Sequence, residues 1–88
     1  MKAYKYFGKS NVVGERIKEA RLKLGLSQSD LAARLQTNDI NIEQKAISRL
    51  ENGERFVADF ELLTLSKILN VSVDWLLTGT DNPLSRIK

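Results

Sequence analysis

The chain has 88 residues, a formal net charge of +3, and neither cysteine nor histidine. That length fits one small domain. It is built without disulfides and lacks the commonest metal ligand and general base. No apolar run approaches the ~20 residues that span a bilayer, and the opening "MKAYKYFGKS" has no apolar signal region. A soluble, cytoplasmic protein is expected, with no membrane partner, no cofactor, no metal and no evident small-molecule ligand. The charge is uneven. Residues 1–23 carry seven Lys/Arg against two Glu, whereas residues 24–88 carry seven against nine acids. A basic end suits a polyanion, although a solubilising tail accounts for it equally well.

The chain opens with a basic, aromatic leader over residues 1–10, containing Tyr4, Tyr6 and Phe7. It either packs on the body or reaches out as an arm, with Met1 to Lys5 expected to be unstructured. Helix signals then dominate. A first helix is predicted from Val12 or Val13 to Leu24, because Val13, Ile17, Ala20 and Leu24 share one face. Gly25 stops it. Ser27 caps a second helix that ends near Gln36, with Leu26 and Leu31 as a hydrophobic staple and Leu31, Ala32 and Leu35 inward.

"QTNDIN" follows as a polar linker, longer than a tight turn. For the third helix two caps compete. Asn41 with Gln44 fits a capping box, while Glu43 as cap makes Ile42 and Ile47 a staple. Glu43 is preferred because both isoleucines then reach the core. Asn52-Gly53 follows a helical pattern, so Gly53 reads as a stop and not as a hairpin. After "ERFVAD", Asp59 is predicted to cap a fourth helix through Leu69, with Leu62, Leu65 and Leu69 inward. Ser72 caps a fifth, stapled by Val71 and Leu76 and closed by Gly79 and Pro83. The fold expected is all-α, with five short helices in residues 11–79 and a tail over 80–88.

The third helix carries the most informative face. At 100° per residue, Ile47 and Leu50 fall together with Ala46 beside them, and Gln44, Lys45, Ser48 and Arg49 fill the opposite arc. Amide, hydroxyl, ammonium and guanidinium groups are those that read base edges and grip phosphates. Gln28 and Ser29 open the second helix, where backbone N–H groups and the positive dipole end suit an anion. Arg21 and Glu51 lie at the rims of two apolar faces and would pair across the interface between helices one and three. Two unrelated surface charges are the plainer alternative.

Three segments carry a family resemblance: "GERIKEARLKLGLSQSDLAARL", "AISRLENGERF" and "LLTLSKILNVSVDWLLTG". In this order and spacing, over residues 12–79, they resemble the lambda-repressor-like helix-turn-helix family, the Cro and phage-repressor (XRE-type) group. The resemblance implies a compact five-helix DNA-binding domain of prokaryotic or phage origin, whose second and third helices form the helix-turn-helix. Carried over by position, Gln28 would sit near phosphate and the first base pair. Gln44 and Lys45 would enter the major groove, with Ser48 and Arg49 further along the helix. Asn52 would meet a phosphate, and Arg21 and Glu51 would form the family's internal ion pair. Arg16, Ser29 and Arg55 join the expected DNA contacts. The linker is an extension of about five residues on the family pattern, which either brings Asn38, Asn41 or Glu43 into the contacts or lays the loop on the backbone.

The function so implied is a transcriptional regulator, most simply a repressor that binds double-stranded DNA as a homodimer on a palindromic operator. Trp75, Leu77 and residues 80–88 are the candidate dimer face. The competing reading is an antitoxin or adaptor that uses the same fold to hold a protein partner. Enzymatic function is not expected. Any nucleophile–base pair would need Ser with Lys or Asp, and no glycine-rich or elbow context offers one.

Overall fold

A computed structural model describes residues 5–80. Five helices follow one another: α1 (Gly14–Lys23), α2 (Gln28–Thr37), α3 (Gln44–Glu51), α4 (Asp59–Leu69) and α5 (Val73–Thr78). The only extended pairing among the described residues is an isolated bridge between Tyr6 and Lys9. Tyr4, Pro83 and most of the expected C-terminal tail, residues 81–88, lie outside the described residues.

At four of the five helix starts a side chain accepts from backbone N–H groups. The Asn11 carboxamide oxygen accepts from the Val13 and Gly14 N–H groups at 3.2 and 2.9 Å, opening α1. At α2, the Ser27 hydroxyl accepts from Asp30 N while the Asp30 carboxylate accepts from Ser27 N, both at 2.9 Å. This reciprocal box satisfies two donors at once. Glu43 is the N-cap of α3, in extended conformation and without a side-chain cap bond. For α4 the cap is Ala58 and Asp59 is already helical. Glu61, not Asp59, closes that terminus, accepting from Ala58 N at 2.9 Å. Ser72 caps α5 by accepting from Trp75 N. Gly25, Gly53 and Gly79 take positive φ where the helices stop.

The apolar faces meet in one core. Ile17, Leu31, Leu35, Ile47, Leu50, Leu65 and Leu76 are fully enclosed. Both partners of the Ile42–Ile47 staple are buried, whereas Leu26 and Val71 are only partly so. Leu24 departs from expectation. It follows the last residue of α1, where the chain turns away, and is exposed. α3 packs against both α1 and α2, and α4 backs α1, α2 and α5. The approach of α1 to α3 requires Gly14, since a Cβ there would run into the Leu50 and Glu51 carbonyl oxygens.

The linker between α2 and α3, residues 38–43, is anchored. Ile40 and Ile42 are both buried. Ile40 N donates to Leu35 O at 2.9 Å, and the Gln36 amide donates to Ile42 O at 2.8 Å. Asp39 takes φ 64° to make the turn, a conformation Asp tolerates. Asn38 donates back to Arg34 O. The extension thus sends two side chains into the core and holds the start of α3. An Ile42→Ala substitution should cost about 2–5 kcal/mol, while the exposed Asn41→Ala should stay within about 0.5 kcal/mol. Urea denaturation of both variants checks the contrast.

Candidate nucleic-acid interface

The site rests on a buried ion pair. Arg21 Nε donates to Glu51 Oε2 at 2.6 Å and Arg21 Nη2 to Glu51 Oε1 at 3.0 Å. Arg21 Nη1 donates to Leu26 O at 2.8 Å. Both residues are buried, at 6% and 5% exposure. The rim charges expected from the sequence are therefore partners, enclosed between α1 and α3. Burying them is tolerable because the fork of donors meets the fork of acceptors and a carbonyl takes a remaining proton. The pair also reaches α2, since Gln28 Nε2 donates to Glu51 Oε1 at 3.2 Å. A carboxylate only accepts, so the Gln28 amide must turn its nitrogen inward.

The neighbouring residue on α2 grips the other end of α3. Ser29 Oγ donates to Gln44 Oε1 at 2.9 Å, a bond between two exposed side chains. The structure thus brings Gln28, Ser29 and Gln44 together. Lys45 and Arg49 are exposed on the α3 face opposite Ile47 and Leu50, and Ser48 is half-buried between them. Arg49 Nη2 lies 3.4 Å from Glu54 O, a long contact. Asn52 follows α3 with an exposed side chain, and its carbonyl accepts from Lys9 Nζ at 3.0 Å.

Three expectations change. Arg16 turns away from the α3 face. Its Nε donates to Leu76 O at 2.8 Å, and its Nη2 to Val12 O and Leu77 O at 3.0 and 3.2 Å. The Leu76 and Leu77 carbonyls belong to the last turn of α5, where a cation is favoured, so Arg16 anchors α5 to the start of α1. Arg55 pairs with Glu61 through two bonds of 2.9 and 3.0 Å and also donates to Phe56 O. Its charge is locally offset. The start of α2 already carries the Asp30 carboxylate, which competes with an incoming anion there. The Ser27 backbone N–H and hydroxyl hold the Asp30 carboxyl below its usual range.

Asn11 was not among the expected site residues. Besides opening α1, its Nδ2 donates to Leu50 O at 3.0 Å and Arg55 O at 2.8 Å. One carboxamide joins the start of α1 to the end of α3. An Asn three residues before the first helical position is a capping signal that would have pointed to it. Ser10 N donates to Gly53 O at 2.7 Å, so residues 9–11 all bind the turn after α3. Among the described residues no group of acidic side chains is arranged to hold a metal ion, and no helix is long and apolar enough to cross a membrane.

α2 and α3 packed together, with polar groups outward from α3, match the helix-turn-helix that the resemblance implied; the ties at both ends of α3 are additional. A profile of the family described as Helix-turn-helix matches residues 17–76, which take in all of α2, α3 and the turn between them. The chain belongs to the helix-turn-helix family. This helix-turn-helix chain is 40% identical over 65 residues to the HTH-type transcriptional regulator ImmR of Bacillus subtilis (strain 168). The matched region is 74% of this chain and 47% of the relative, so the chain spans about half that relative's length. Among solved structures it is similar to the P22 c2 repressor protein, crystallised in complex with synthetic operator 9T in the presence of Tl+. The TM-score is 0.68 at 36% identity, covering 80% of this chain and 98% of the other. These relatives place it in the phage-repressor, lambda-repressor-like branch.

The Arg55–Glu61 pair sets a pH dependence. Hydrogen bonding from Arg55, then from Ala58 N, holds the Glu61 carboxyl below its usual value against the opposing effect of burial. A carboxylate depressed in the folded state adds stability above its unfolded pKa and loses it as pH falls through the folded value. The stability difference between wild type and Glu61→Gln should therefore shrink as pH drops from about 6 to about 3. Urea melts across that range test it, and a constant difference would contradict the pairing.

Proposed function

We propose that this chain is a sequence-specific transcriptional regulator that binds double-stranded DNA with α3 in the major groove. It acts as a phage- or mobile-element-type repressor by occluding a promoter. The observation that carries this reading is the exposed cluster of Ser29, Gln44, Lys45 and Arg49, with half-buried Gln28 beside it, on two helices that the core holds together. The likeness to a repressor crystallised on operator DNA supports it.

In this reading Gln44 bonds adenine N6 and N7, and Lys45 or Arg49 bonds guanine O6 and N7. Asn52 and the backbone N–H of Gln28, at the start of α2, face phosphate, and Ser48 lies deeper along the groove. Arg16 and Arg55, engaged within the protein, leave the contact set. Gln44→Ala should relax base preference at one position by roughly 1–3 kcal/mol. A binding-site selection on random duplexes at two salt concentrations measures this, and unchanged preference refutes the role of Gln44.

One such module contacts few base pairs, so the chain is proposed to bind as a homodimer with half-sites about 34 Å apart. Of the residues expected at the dimer face, Trp75 is half-buried against the core and Leu77 is 41% exposed. A larger apolar surface is Phe56, Phe60 and Leu63, each at least half exposed, on the loop before α4 and its first two turns. Exposed apolar patches of this kind mark interaction sites. The same patch is the observation that favours the second reading, an antitoxin or adaptor holding a protein partner. Sedimentation of the wild-type chain on operator DNA should give two chains per duplex, and Phe60→Ser should reduce cooperativity while leaving half-site affinity intact. A single chain per palindromic duplex would remove the dimer.

A further inference from the structure

We propose that the lengthened linker is a second base-reading element, in which Asn41 and Glu43 extend the contacts of α3 to base pairs beyond the one that Gln44 reads. This rests on the DNA-reading proposal above and deepens it.

Burial alternates along residues 40–43. Ile40 and Ile42 are buried, at 8% and 3% exposure, while Asn41 and Glu43 are exposed. That is the pattern of an extended segment with one side on the core, so the two polar side chains share the outward side. The segment is also fixed in advance. Ile40 N donates to Leu35 O, Gln36 Nε2 donates to Ile42 O, and the Glu43 carbonyl accepts from Ala46 N and Ile47 N at 3.0 and 3.1 Å. A contact element that is already ordered loses little conformational freedom on association.

Asn38, the other asparagine of the linker, is engaged, because its Nδ2 donates to Arg34 O at 2.8 Å. Asn41 and Glu43 have no hydrogen-bonded or ion-paired side chain among the described residues. Glu43 is the N-cap of α3 and yet makes no side-chain cap bond.

Their place in the chain brings both to the groove. The N-terminal residues of a recognition helix are the ones that meet base edges, and residues 41 and 43 come directly before them. From Asn41 to Gln44 an extended chain spans about 10 Å, which is about three base-pair rises. Their chemistry is selective. A carboxamide matches adenine N6 and N7, and a carboxylate accepts from the cytosine N4 amine. Phosphates otherwise repel a carboxylate, so Glu43 favours a site with cytosine at its position and weakens binding to every other.

The test is a binding-site selection with the full wild-type chain and with Asn41→Ala and Glu43→Ala, followed by titration of the selected duplex and of copies changed at single base pairs. Asn41→Ala should flatten the preference at a pair within about three steps of the Gln44 position and leave the Gln44 position itself unchanged. The affinity ratio of matched to mismatched duplex should fall roughly 5- to 150-fold at that pair. Glu43→Ala should remove a cytosine preference and raise the affinity for the mismatched duplex, which loss of a merely structural residue would not do. If either variant keeps the wild-type preference, or weakens every duplex equally, the proposal fails. A wild-type chain that selects no motif, or a Gln44→Ala variant with unchanged preference, defeats the DNA-reading proposal instead, which separates the two failures.

Discussion

The Arg21–Glu51 pair is the constraint on which the site depends. It lies where α1 meets α3, is almost sealed from water, and joins three helices because Gln28 on α2 shares the Glu51 carboxylate. Removing one partner would leave an uncompensated buried charge, which costs far more than an exposed pair of the same geometry contributes. The pair therefore fixes where α3 sits more than it adds to net stability. Asn11 and Gly14 serve the same boundary from α1, one by bonding the Leu50 carbonyl and the other by letting backbone approach backbone.

A lengthened linker between the two helices of a helix-turn-helix would ordinarily loosen their angle. Here the added residues bury Ile40 and Ile42 and bond back to Leu35 and Gln36. The length is absorbed into the core, not left as a hinge. Consecutive residues of α2 then hold opposite ends of α3, Gln28 at Glu51 and Ser29 at Gln44. With these ties the extension does not force the exposed face of α3 to move relative to the body.

Much of the fold was legible because the helices carry their own start signals. Ser27, Glu43 and Ser72 are caps as read, and the apolar periodicity of α2 and α3 selects the residues the core encloses. Asp59 was misplaced by one residue because Glu61 supplies the capping carboxylate from inside the helix, and composition does not say which acid folds back. The Arg21–Glu51 contact was one option among two until packing decided it. Arg16 and Arg55 have partners within the protein that the sequence did not show, for a common reason. A cation near a proposed polyanion site looks like a contact, but carbonyls at a helix end or a nearby carboxylate compete for it, and only the fold shows which is closer. Ser29–Gln44 was invisible because fifteen residues and a loop of unknown path separate the two side chains.

Residues 9–11 are stitched to the end of α3. Lys9, Ser10 and Asn11 bind Asn52, Gly53, Leu50 and Arg55, and the exposed Tyr6 and Phe7 rings stack edge to face just ahead of them. Residues 9–11 thereby lie beside the loop that follows α3. Substitutions at Lys9 or Asn11 would therefore be felt at the end of α3, whereas Arg16, on the same helix that Asn11 opens, secures α5 instead.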